Sequence, residues 1–140
     1  MDFVKFVLSQ SHGYYSYQEA SNVAMNVLGM FLSDVGFSEQ QRPTFKDWAL
    51  ADKTTPGTGF NYTIGTNVTF LEEDDDGVIH ILDDTGSDPD DVYYVPARIA
   101  MTRDQFVRLL DDWQEKVCKH KPKNVIIKYD NDRFFIETHD

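Results

Sequence analysis

The residues whose types and spacing could do chemistry are concentrated in one run, Glu72-Glu73-Asp74-Asp75-Asp76-Gly77-Val78-Ile79-His80-Ile81-Leu82-Asp83. Acids at its positions 1, 3, 5 and 12 and glycine at 6 match a calcium-binding loop, whose carboxylates would wrap a hard cation. The match departs at both ends. Glu72 stands where aspartate is usual, and Asp83 is one carbon shorter than the bidentate glutamate. The flanks carry strand rather than helix patterning, so the expected structure is a charged β-hairpin with its turn at Asp76-Gly77. Calcium or magnesium binding by the carboxylates of 72–91, in a regulatory protein or an enzyme, stays as the alternative.

Other reactive residue types form weaker constellations. Asp84-Thr85-Gly86 has the triplet of an aspartic protease, but a second such carboxylate has no candidate. His12, His80, His120 and His139 are too far apart for metal-ligand spacing. Cys118 lies close to Lys116, Lys119 and His120, which would favour its thiolate. No general base accompanies it at a recognisable spacing, so no catalytic residue, metal ligand or cofactor is assigned and the protein is expected not to be an enzyme. Asn61-Tyr62-Thr63 and Asn67-Val68-Thr69 have the form of glycosylation acceptors, which matters only for a secreted chain.

Charge is the more informative feature. The 140-residue chain carries a net charge of −11, from 24 acids and 13 Lys and Arg. Ten of the acids (Glu72, Glu73, Asp74, Asp75, Asp76, Asp83, Asp84, Asp88, Asp90 and Asp91) fall in one segment without Lys or Arg, leaving 14 acids against 13 bases elsewhere. Such a field repels nucleic acid and anionic lipid and attracts cationic proteins. Tyr93 and Tyr94 follow the acids directly and would supply an apolar anchor for an interface.

These residues need a scaffold, and the sequence outlines one. A strand is expected over Phe3–Leu8. Ser16 and Glu19 have capping-box spacing, ahead of Ala20, Val23, Ala24, Val27, Leu28, Phe31 and Leu32 at helical spacing and Gly36 as a terminator. A short helix is expected from Thr44 to Leu50, and a loop over Lys53–Gly59. Tyr62, Ile64, Val68 and Phe70 alternate at period two and lead into the acidic hairpin, which resumes as a strand over Val78–Leu82. Past the polar stretch Asp83–Asp91, strand patterning returns over Val92–Val95 and again over Arg98–Met101.

Thr102 and Gln105 form a second capping box ahead of the stripe Phe106, Leu109, Leu110, Trp113 and Val117, with Pro122 past its end. A last hairpin joins Asn124–Tyr129 to Arg133–Thr138. The expectation is a single α+β domain over 1–140, an antiparallel sheet with two main helices packed on one face. The hairpin should carry Asp83 and Asp84 back toward Glu72 and Glu73, making one acidic patch at one end of the sheet.

With 41% hydrophobic residues, 14% aromatics and no run of the ~20 apolar residues that cross a bilayer, the chain has the makings of one soluble core. The acidic, short-run N-terminus lacks a signal-peptide pattern, and a single cysteine suits a reducing compartment, so a cytoplasmic location is expected.

The second half also resembles the immunity proteins of bacterial polymorphic toxin and contact-dependent growth inhibition systems. The resemblance is carried by Tyr93-Tyr94-Val95-Pro96, by Arg98-Ile99-Ala100-Met101 leading into Phe106-Val107-Arg108-Leu109-Leu110-Asp111-Asp112-Trp113, and by Lys121-Pro122-Lys123 with Val125-Ile126-Ile127-Lys128-Tyr129-Asp130. It implies an antitoxin that binds a cognate toxin domain, in many cases a nuclease with a basic cleft, and blocks its active site or its approach to substrate. The 72–91 acids with Tyr93 or Tyr94 would be the contact surface. An acidic adaptor or chaperone for basic cargo shares the charge argument.

Overall fold

A computed structural model describes residues 2–9, 14–35, 41–51, 63–66, 68–83 and 96–140. The chain is an α+β domain whose strands divide into two antiparallel sheets rather than one. The first contains β1 (Asp2–Ser9), β2 (Tyr14–Ala20), β7 (Asn124–Asp130) and β8 (Arg133–His139) in the order β2-β1-β7-β8. The second runs β3-β4-β5-β6, from Thr63–Gly65, Thr69–Glu73, Val78–Asp83 and Arg98–Thr102. Among the described residues three α-helices accompany them: α1 (Val23–Val35), α2 (Gln41–Leu50) and α3 (Arg103–Trp113).

Two sheets arise because β1 pairs with the distant β7 as well as with its neighbour β2, in the register Val4 to Ile127 and Phe6 to Val125. The ends of the chain thereby form one sheet and its middle forms the other. Both α1 and α3 pack against both sheets, so their apolar stripes are shared between two surfaces. Val4, Phe6, Val125 and Ile127 approach from one side, and Leu71, Ile79, Ile81 and Met101 from the other. Among the described residues, the buried side chains of both sheets and all three helices join in one cluster, with Leu82 buried outside it. Phe6 meets Trp113 edge-on at 5.4 Å, while Phe106 lies between Phe31 and Trp48 at 6.0 and 6.4 Å.

Helix α3 begins as its sequence dictates. Thr102 Oγ1 accepts a hydrogen bond from the Gln105 amide (3.1 Å) and Gln105 Oε1 accepts one from the Thr102 amide (2.8 Å), the reciprocal capping box. The helix widens into a π-helical turn over Gln114–Cys118, in which the Lys119 amide donates to Gln114 O at 3.1 Å. It stops where Lys121 adopts φ 47° just before Pro122.

The other expected capping box, Ser16 with Glu19, does not form. Both residues lie in β2, where Glu19 pairs with Lys5 across the ladder at 3.7 Å. Three tyrosines in Tyr14-Tyr15-Ser16-Tyr17 favour the pleated surface, and β1 already engages those backbone amides. The cap of α1 is Asn22 instead, whose Oδ1 accepts from the Met25 amide at 2.9 Å. The proposed terminator Gly36, the loop Lys53–Gly59, Tyr62 and the strand Val92–Val95 lie outside the described residues.

Candidate functional site

Strands β4 and β5 pair Glu73 with Ile79, Glu72 with His80 and Thr69 with Asp83, and between them the chain reverses over Asp74–Gly77. The acidic hairpin is therefore real, and its turn has an internal anchor. The Gly77 amide donates to Asp74 O at 3.0 Å, with Gly77 at φ 80°, a left-handed conformation that costs a glycine nothing. Asp74 Oδ1 accepts from the amides of Asp76 (2.9 Å) and Val78 (3.0 Å). Its Oδ2 lies 2.9 Å from His80 Nε2. His80 Nδ1 is buried with no partner among the described residues, so the proton belongs on Nε2, where it donates to the carboxylate.

These bonds hold the Asp74 carboxyl below its ordinary pKa. The His80 bond contributes most, followed by the Val78 amide. A carboxylate with a depressed folded-state pKa adds stability that is present above the unfolded value, near pH 4, and is lost as pH falls through the folded one. Replacing Asp74 with Asn keeps one acceptor and removes the charge. The variant should melt lower at neutral pH and lose less of its stability than the parent below about pH 4. Urea midpoints taken from pH 6 to pH 2.5 test this, and parallel curves for the two proteins would refute it.

The five turn acids are not equivalent. Glu73 faces the core side of the sheet with its side chain 7% exposed, ion-paired to Arg103 at the first turn of α3. Glu73 therefore ties the hairpin to α3, while Asp74 holds the turn itself together. Glu72 is half-buried on the opposite face, level with His80, and Asp74, Asp75 and Asp76 are all exposed at the tip, Asp74 with its carboxylate bonded to His80 and the turn amides. Elsewhere cations are matched locally: Lys46 with Asp111 (3.0 Å), Lys119 with Glu115 (2.8 Å) and Lys128 with Glu137 (2.8 Å). No such cation meets Asp75 or Asp76 among the described residues, so the field at the tip is unbalanced.

The expected convergence of the two acidic segments does not hold at Asp83. Its register partner is Thr69, three residue pairs from the level of Glu72, or roughly 10 Å along the strands. The strand length of β5 sets this separation: a tight turn returns the chain beside its own start, but Asp83 lies six residues past Gly77. Asp84, Asp88, Asp90, Asp91, Tyr93 and Tyr94 lie outside the described residues.

Sequence reasoning missed two residues that shape this site. Arg103 neutralises Glu73 and His80 braces Asp74. Position gives a partial signal for each, since Val78 pairs with Thr102, which sets Arg103 beside the hairpin turn. No group of three or more His, Cys, Asp or Glu suited to a metal ion occurs among the described residues, and no helix there is long and apolar enough to cross a membrane. Scans of the chain against family models, curated proteins and solved structures yield no match.

Proposed function

We propose that the protein is an acidic immunity protein that acts in the cytosol, binding a cognate toxin domain with a basic, nuclease-type cleft and denying it access to substrate. The observation that carries this reading is the hairpin tip. Asp74 commits its carboxylate to building a fixed turn, and that turn projects Asp75 and Asp76 outward with no counter-charge beside them among the described residues. A preformed anionic projection suits a cationic cleft, because the acids are ordered before the partner arrives and little side-chain or loop entropy is lost on docking. The same field, extended in sequence by Asp84, Asp88, Asp90 and Asp91, would steer the encounter.

Genetic rescue tests it. Expression of the toxic C-terminal domain encoded immediately upstream should arrest growth, and co-expression of this chain should restore it. The purified pair should associate more slowly as salt rises from 50 to 300 mM. The absence of a large secreted effector gene upstream, or growth arrest that this chain does not relieve, would overturn the proposal. An adaptor for basic cargo would bind without rescuing.

A further inference from the structure

Strand β6 closes the second sheet, and the pattern of its hydrogen bonds shows which of its groups are open. The Asp83 amide donates to Ala97 O at 2.9 Å. Bonding alternates along an antiparallel ladder, so Ile99 and Met101 also turn their backbone groups toward β5, while Arg98, Ala100 and Thr102 turn theirs away. The outward amide of Thr102 is taken by Gln105 at 2.8 Å. What remains is a short free edge, the N–H and C=O groups of Arg98 and Ala100, with no strand on that side among the described residues.

That edge borders a cleft of about 310 Å³ between the two sheets. Asp2, Tyr129 and Phe134, which are register partners in one row across the first sheet, face Arg98, Ile99 and Ala100 across it. Ala24 and Met25 of α1 complete the lining, and the small side chains of Ala24 and Ala100 leave the room. The rings of Tyr129 and Phe134 meet at a tilt, 4.8 Å apart, and the Tyr129 hydroxyl donates to Asp132 at 3.2 Å. Burial is the main reason that this phenol titrates above its ordinary range. The walls are thus mostly carbon. Arg98 stands exposed at the rim with no acid paired to it among the described residues.

We propose that this cleft binds the C-terminal end of an extended peptide whose last residue is a large apolar one. The peptide adds antiparallel to β6, as every pairing in the sheet is antiparallel. An antiparallel strand ends beside Arg98, the first residue of β6, so its terminal carboxylate meets the guanidinium while Asp2 bars it from the opposite wall. Two outward residues suit a chain end better than a strand that runs through. The volume holds one large side chain against Met25, Ile99 and Phe134. The site is separate from the acidic turn and does not rest on the antitoxin reading.

The test is a titration of the ¹⁵N-labelled full chain with an acetylated Gly/Ser pentapeptide ending in phenylalanine, its C-terminal amide, and the same peptide ending in glycine. The phenylalanine acid should shift the signals of Arg98, Ala100, Tyr129 and Phe134 and slow amide exchange at Ala100. Capping the carboxylate, removing the terminal ring, or the exposed-site change Arg98→Gln should each weaken binding at least ~10-fold. Ala100→Pro removes only an outward-facing N–H, leaves the ladder to β5 intact, and should also abolish binding. If that variant unfolds, Arg98→Gln alone decides the question. The proposal falls if no peptide shifts these signals at millimolar concentration, or if amide and acid bind equally. It also falls if β6 is instead covered by a second copy, seen as a dimer in sedimentation. Asp75→Asn with Asp76→Asn should leave peptide binding unchanged whatever becomes of toxin binding, and its loss there would refute the separation of the two sites.

Discussion

Replacing Glu72 with Gln and Asp75 and Asp76 with Asn should slow association with a basic toxin domain by roughly 10- to 100-fold at low salt, while the protein stays folded. The triple change removes three of the eleven net negative charges, all from the half-buried or exposed members of the hairpin. It spares Glu73 and Asp74, which are bonded to Arg103 and His80 and support the turn. Like charges crowded at the tip repel, so the melting temperature should hold or rise. Steering operates at a distance and is screened within about 8 Å at physiological ionic strength, so the salt dependence of the rate should flatten as well. Stopped-flow association at several salt concentrations separates the outcomes. A parent-like rate and slope would mean that the hairpin is not the encounter surface. Extending the replacement to Asp84, Asp88, Asp90 and Asp91 then asks whether the rest of the acidic segment carries the steering.

The largest effect on the fold itself is expected at Phe106. Its ring is 1% exposed and touches Phe31 of α1 and Trp48 of α2, so one side chain of α3 joins all three helices. Phe106→Ala should cost about 3–5 kcal/mol, because the lost transfer free energy is compounded by a cavity that three separately anchored helices cannot collapse to fill. For a domain whose whole stability is on the order of 5–15 kcal/mol, that is a large share. Phe106→Leu keeps most of the volume and should cost less than about 1.5 kcal/mol. Urea unfolding measures both. Equal, small losses would show that the helical layer repacks freely, contrary to the edge-on ring contacts that now lock it.

Local signals in the sequence were reliable where no competing partner existed. Thr102 and Gln105 cap α3, Phe106, Leu109, Leu110 and Trp113 form its buried stripe, and Asp130 with Arg133 closes the last hairpin around Asn131 and Asp132. The acidic hairpin was equally legible, since period-two alternation on both sides of an Asp-Gly pair admits few other structures. Ser16 and Glu19 show the limit of such reasoning. Their spacing fits a helix start, but the capping bond is available only if the backbone is not already paired, and β1 pairs it.

What the sequence determined by itself was therefore the hairpin, its charge and the helix starts that depend on neighbours within a few residues. Tertiary structure decided which of those charges remain available. Glu73 and Asp74 look no different from Asp75 and Asp76 in the chain, but Arg103, 30 residues beyond Glu73, takes the first, and His80 with two turn amides takes the second. The open edge of β6 and the cleft beside it were invisible for the same reason. Their walls come from opposite ends of the chain, and the pairing of β1 with β7 that brings Asp2 beside Tyr129 is a long-range choice, made by the burial of a shared core and not by local periodicity.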